Sequence, residues 1–169
     1  KVYDGKNIPD EYRVTVPTEP QKMTVLIVPP MQEPYIKEIS TGLEALQKEV
    51  GGRIEVVYPF AEPVGLICND EGKNERMELN RALYDAEDNM YDIIAGTFVL
   101  AGLSGDNFGS LDKDQIKQFS ERFAKPEMFM RINGKITAVE VKPSIKAKLD
   151  RLQKEQNNTD KPQPQKKPR

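Results

Sequence analysis

The chain has 169 residues, of which 37% are apolar and 31% charged, with one cysteine, no histidine and a formal net charge of −2. That length supports one domain with a real core, and the low apolar share points to a compact body diluted by polar ends. The missing histidine excludes imidazole bases and zinc sites built from cysteine and histidine, so no metal or cofactor is expected. Cys68 alone cannot form an intrachain disulfide, which fits a reducing cytosol.

No apolar run approaches the roughly 18 residues that span a bilayer, and residues 1–22 hold no stretch resembling a signal peptide. A cytoplasmic chain with no membrane partner is the expectation. Charge is uneven: residues 151–169 carry +4, which leaves −6 on the remainder. An acidic body repels phosphate backbones, so any nucleic-acid contact should be weak, salt-sensitive and confined to the basic tail.

Residues 1–22 include Pro9, Pro17 and Pro20 and read as a lead-in segment, with Tyr12, Val14 and Val16 alternating as in a short edge strand. Val25 to Val28 is a continuous apolar run, the pattern of a strand buried on both faces. Ile36, Ile39, Leu43, Leu46 and Val50 recur at steps of three and four, which predicts a helix over 34–50 with Pro34 in its first turn and Gly51-Gly52 as its stop. Ile54 to Tyr58 and Val64 to Cys68 read as strands joined closely enough to be antiparallel, with Ile54 and Val56 on one face and Glu55 and Val57 on the other.

Asn69 to Asn74 is a polar turn, expected to place Gly72 at positive φ. A short helical piece is expected around Leu79 to Leu83. Asp85, Glu87 and Asp88 read as a solvated helix end. Ile93 to Ala101 is the most apolar run and is expected to be the central strand, followed by a loop over 102–109. Asp112 and Gln115 have capping-box spacing, with Ser110 a competing cap, ahead of a helix face of Ile116, Phe119 and Phe123 that Pro126 ends. Asn133-Gly134 between Met130–Ile132 and Ile136–Val141 predicts a two-residue hairpin, with Met128 and Met130 as core or edge packing.

Residues 142–156 read as a linker or weak surface helix. Residues 157–169, with three prolines and no aliphatic or aromatic side chain, should be disordered. The fold class is therefore α+β: over residues 23–141, a mixed, largely antiparallel sheet of about five or six strands packed by two main helices, with a C-terminal hairpin.

Four stretches carry a family resemblance: Val50-Gly51-Gly52-Arg53-Ile54-Glu55, Cys68-Asn69-Asp70-Glu71-Gly72-Lys73, Leu79-Asn80-Arg81-Ala82-Leu83 and Asp92-Ile93-Ile94-Ala95-Gly96-Thr97-Phe98. In this order they resemble the domain-of-unknown-function family DUF3846, from Thr24 to about Val141. The chain departs from that pattern at Asn74-Glu75-Arg76-Met77-Glu78, where relatives carry an apolar link with glycine. The resemblance implies an accessory domain of conjugative elements and phages, and implies no catalytic residue. Lys142 to Leu149 is similar to linkers that join such modules.

Residue chemistry narrows the site. Gly72-Lys73 lacks the upstream glycine and following Ser or Thr of a phosphate loop, and Gly102, Gly105 and Gly109 lack dinucleotide-fingerprint spacing. Asp70 and Glu71 are too few for a calcium loop. Cys68 has apolar neighbours and reads as a core thiol. A polar cluster of Asn69, Asp70, Glu71, Lys73, Asn80, Arg81 and Thr97 is expected near one edge of the central strands. There Arg81 either clamps the turn to the sheet through Asp70 or Glu71, or meets a ligand. The leading functional expectation is a non-enzymatic binding module of a mobile genetic element that engages a host or element protein. The alternative is a small-molecule-binding or enzymatic domain using the polar site around Asn69 and Arg81.

Overall fold

The computed structural model describes residues 21–159. The possible edge strand near Tyr12 and the tail beyond Thr159 lie outside the described residues.

The apolar runs build one antiparallel sheet. Its strands are β1 (Lys22–Val28), β2 (Tyr35–Ser40), β3 (Ile54–Val57), β4 (Val64–Asn69) and, beyond the separate hairpin of β5 (Leu79–Tyr84) and β6 (Met90–Ala95), β7 (Phe98–Ser104) and β8 (Asn107–Gly109). The order is β2-β1-β7-β4-β3, with β8 paired to β7. Leu100 of β7 lies opposite Leu26 on one side and Leu66 on the other, which puts β7 at the centre. Among the described residues every strand pairing is antiparallel.

The sheet is covered on both faces, as the continuous apolar runs require. On one face Val25, Ile27, Ile67 and Val99 pack with Leu46 and Val50 of helix α1 (Leu43–Val50). On the other, Leu26, Leu66, Cys68, Phe98 and Leu100 pack with Phe119 and Phe123 of helix α2 (Lys113–Arg122) and its C-cap. They also meet Leu83 and Ile94 of a second layer, the hairpin β5 (Leu79–Tyr84) and β6 (Met90–Ala95). The α2 capping box is present: Asp112 accepts from the Gln115 amide at 2.8 Å while Gln115 returns a bond at 3.0 Å. Ser110 does not cap it; its hydroxyl accepts from Thr24 N at 2.9 Å. The hairpin β9 (Glu127–Ile132) and β10 (Lys135–Glu140) turns at Asn133 and Gly134, both at positive φ. Helix α3 (Ile145–Thr159) continues past the expected end at 156. No helix among the described residues is long and apolar enough to cross a membrane.

Five expectations need correction. Residues 34–40 are not helical: Tyr35–Ser40 pairs with β1, and Ile36, assigned to the helix stripe, is 57% exposed. The steps of three and four there are coincidental, and Ser40-Thr41-Gly42 marks the true break before α1. Leu79–Tyr84 is a strand, because a run this short takes its conformation from its partner β6 rather than from its own period. The acidic residues Asp85, Glu87 and Asp88 accordingly form the turn of that hairpin. The loop expected over 102–109 is a β-hairpin. Met128 and Met130 take the edge rather than the core place expected for them, about half exposed on the two-stranded sheet of β9 and β10 (49% and 51%).

The fifth correction concerns the run from Ile93 to Ala101, which is two strands in two layers. Gly96 has φ +81°, and this left-handed residue lets the chain leave β6 and enter β7. An alanine there would carry a Cβ only 2.8 Å from the Met77 sulfur. Gly96→Ala should lower the unfolding free energy in urea by about 1–2 kcal/mol, the cost of a side chain in left-handed backbone. An unchanged midpoint would show that the crossing does not depend on that conformation.

Candidate functional site

The turn after β4 is built by side chains that bond inward. Asn69 is buried: its amide donates to Val50 O at 3.1 Å, and its oxygen accepts from Glu71 N at 2.8 Å. The Arg53 guanidinium bridges Asp70 at 3.1 Å and Glu71 at 3.0 Å. Asn74 donates to the other Glu71 oxygen at 2.9 Å, and Lys73 pairs with Asp92 of β6. Gly72 is not at positive φ. It is needed for closeness, since a Cβ would lie 2.8 Å from Ala95 O.

Between this turn and β6 lies a cleft of about 220 Å³, lined by Glu55, Cys68, Asn69, Asp70, Lys73 and Asp92 among others. Glu55 and Cys68 are cross-strand partners, so both face it. Three carboxylates meet one ammonium, and that ammonium is held by Asp92. The Glu55 side chain is exposed and makes no hydrogen bond or ion pair among the described residues. Burial, with help from Glu55, Asp92 and Asp70, pushes the Cys68 thiol up to about 11. Among the described residues no group of three or more Cys, Asp or Glu side chains is placed to hold a metal ion.

Asn80 and Arg81 form a separate buried node. Arg81 is 1% exposed. Its Nη1 donates to Asn80 Oδ1 at 2.6 Å and Pro29 O at 3.3 Å; its Nη2 donates to Gln32 O at 2.7 Å and Phe123 O at 2.8 Å. Asn80 in turn donates to Val28 O at 2.7 Å and Gly96 O at 2.9 Å. Arg81 Nε is buried without a partner among the described residues. Burial lowers the Arg81 pKa to about 10, partly offset by Glu127, so the group stays cationic at neutral pH.

The structure thus divides the seven sequence-derived residues. Asn69, Asp70, Glu71 and Lys73 share the turn, while Asn80 and Arg81 lie in the buried node. Thr97 is half-buried and follows the glycine whose carbonyl Asn80 holds. Asp70 and Glu71 are bound by Arg53, not Arg81, which instead ties the β1–β2 loop to the end of α2. Sequence reasoning left Arg53, Glu55 and Asp92 out of the site. Glu55, alternating between Ile54 and Val56, was the available signal.

Arg81→Ala would leave four acceptors without their donor and should destabilise the fold by more than about 3 kcal/mol in denaturant titration. Arg81→Lys should recover only part of this, since an ammonium lacks the planar fork; full recovery would contradict the geometry. For Cys68, a rise of the pKa from 9.0 to about 11 cuts the thiolate fraction at pH 8 about 100-fold. Iodoacetamide labelling of the native chain should be slower than that of the urea-unfolded chain by at least this factor; equal rates would overturn the assignment.

Comparison with known proteins adds a family. A family model described as a domain of unknown function (DUF3846) matches residues 23–124, from β1 to just past α2. No curated protein and no solved structure matches the chain. With well over half of its length matched, the chain belongs to the DUF3846 family.

Proposed function

We propose that the chain is a non-enzymatic binding module that takes a basic side chain of a partner protein into the acidic cleft. The observation that carries this reading is the charge of that cleft, where Glu55, Asp70 and Asp92 face a single lysine. Lys73 pairs with Asp92, and the single Arg53 guanidinium is shared between Asp70 and Glu71, so the cluster keeps an excess of negative charge and Glu55 has no ion pair among the described residues. A guanidinium or ammonium placed beside it would gain a charge-assisted hydrogen bond without displacing an existing ion pair of Glu55. The acidic body outside the tail would draw such a partner in by long-range attraction.

The elevated Cys68 pKa argues against thiolate chemistry at neutral pH. Asn69 and Arg81, the centre of the alternative ligand site, are buried and bonded within the fold, so that alternative gains no support from them. A role as accessory to a mobile genetic element, acting on a host or element protein in the cytoplasm, rests on the family resemblance.

A fluorescein-labelled arginine-rich octapeptide tests the reading by anisotropy. Wild type should bind it in a salt-dependent manner. Glu55→Gln should weaken binding about fivefold or more, which corresponds to about 1 kcal/mol. Neutralising the remote acidic turn by Asp85→Asn and Glu87→Gln should have much less effect. Equal loss from both sets would reduce the interaction to diffuse charge and contradict a specific cleft.

A further inference from the structure

A second cleft, of about 410 Å³, opens between the β1–β2 loop and the first turns of α3. Its charge is opposite to that of the first. Lys142, Lys148 and Arg151 face a single carboxylate, Glu33, and Tyr35 and Pro143 add apolar wall.

Both walls are fixed. Arg151 lies 4.0 Å over the Tyr35 ring and donates to Gln32 Oε1 at 3.2 Å, with Glu155 at 3.5 Å, so the guanidinium is a seated wall rather than a loose surface group. The Ser144 amide donates to Met31 O at 2.6 Å, and Arg81 holds Gln32 O from inside. Met31 itself stands at φ +61°, a conformation a non-glycine residue keeps only where its surroundings enforce it. In contrast, the exposed ammonium groups of Lys142 and Lys148 make no hydrogen bond or ion pair among the described residues. A rigid aromatic and guanidinium wall with two uncommitted cations at its rim is organised in advance for an anion joined to a flat apolar body.

We propose that this cleft binds a small molecule carrying a phosphate or carboxylate on an aromatic or similarly flat group. The anion sits between Lys142 and Lys148, and the ring lies against Pro143 and the rim of the stack that Arg151 makes on Tyr35. The site combines a loop of the family domain with a helix outside residues 23–124, so the family match covers only one of its two walls. It is independent of the acidic cleft, and its failure would leave that reading intact.

The test is isothermal titration of the full chain with phenyl phosphate and with benzoate, alongside benzylamine and inorganic phosphate. Saturable binding of either aromatic anion supports the site, and the stronger of the two identifies the anion it prefers. The double variant Lys142→Gln/Lys148→Gln, shown to keep the wild-type urea midpoint, should lose at least about tenfold in affinity. The proposal is overturned if neither aromatic anion binds at millimolar concentration, or if the double variant binds as well as wild type. Binding of inorganic phosphate or benzylamine as tight as the aromatic anions would overturn it too.

Discussion

A single buried guanidinium joins the parts of this molecule that the sheet alone would leave apart. Arg81 is withdrawn from water without an ion-pair partner among the described residues, and its charge is dispersed over backbone carbonyls and one amide oxygen. Desolvating a cation costs several kcal/mol, and charge-assisted hydrogen bonds must offset that cost if the fold is to stand. The acceptors come from three places: the segment after β1, the residue after α2, and Asn80 beside it on β5. Each is thereby fixed relative to the others. One acceptor, Phe123 O, lies at the end of α2, where the helix dipole favours a cation. Asn80 extends the node to Val28 and Gly96, so the crossing from β6 to β7 is held by the same network.

The two clefts follow from this arrangement. Because the β5–β6 layer is held against the sheet at Arg81 and Asn80, the turn from Asn69 to Met77 has to span the space between β4 and β5, and the acidic cleft lies beneath it. Arg53 closes the turn from the β3 side, and Lys73 reaches across to β6. On the loop side, Arg81 sets the carbonyl of Gln32, and Gln32 in turn receives Arg151 of α3. One internal cation therefore supports an acidic surface and a basic one without contributing charge to either.

Much of the framework was legible in the sequence. The apolar runs of β1, β4 and β7, the αL stop at Gly51, the Asp112–Gln115 box and the Asn133-Gly134 turn are local signals with local physical causes. What misled was pattern without partner. Tyr35–Ser40 mimics a helix by spacing but is pinned as a strand by β1, and Leu79–Tyr84 is too short for its period to decide. The run through Gly96 is broken only by Gly96-Thr97, a weak signal on its own, and the left-handed conformation of Gly96 is what separates the two layers. Of the site, Asn69, Asp70 and Lys73 could be found because turn chemistry is written in consecutive residues. Asp92 and Arg53 join them only through tertiary pairing, which no local window contains. Arg81 was singled out for its planar fork, but its acceptors are main-chain carbonyls, and carbonyls leave no mark in a sequence.

The most direct test of the account is where a cationic partner lands. A titration of the isotope-labelled chain with an arginine-rich peptide, followed by amide and methyl chemical shifts, discriminates the acidic cleft from an exposed apolar surface. That surface is the hairpin face bearing Met128, Met130 and Ile132, each about half exposed. The account predicts saturating shifts at Glu55, Cys68, Lys73 and Asp92, with the hairpin methyl groups unmoved. Shifts confined to Met128, Met130 and Ile132, with the cleft silent, would contradict it.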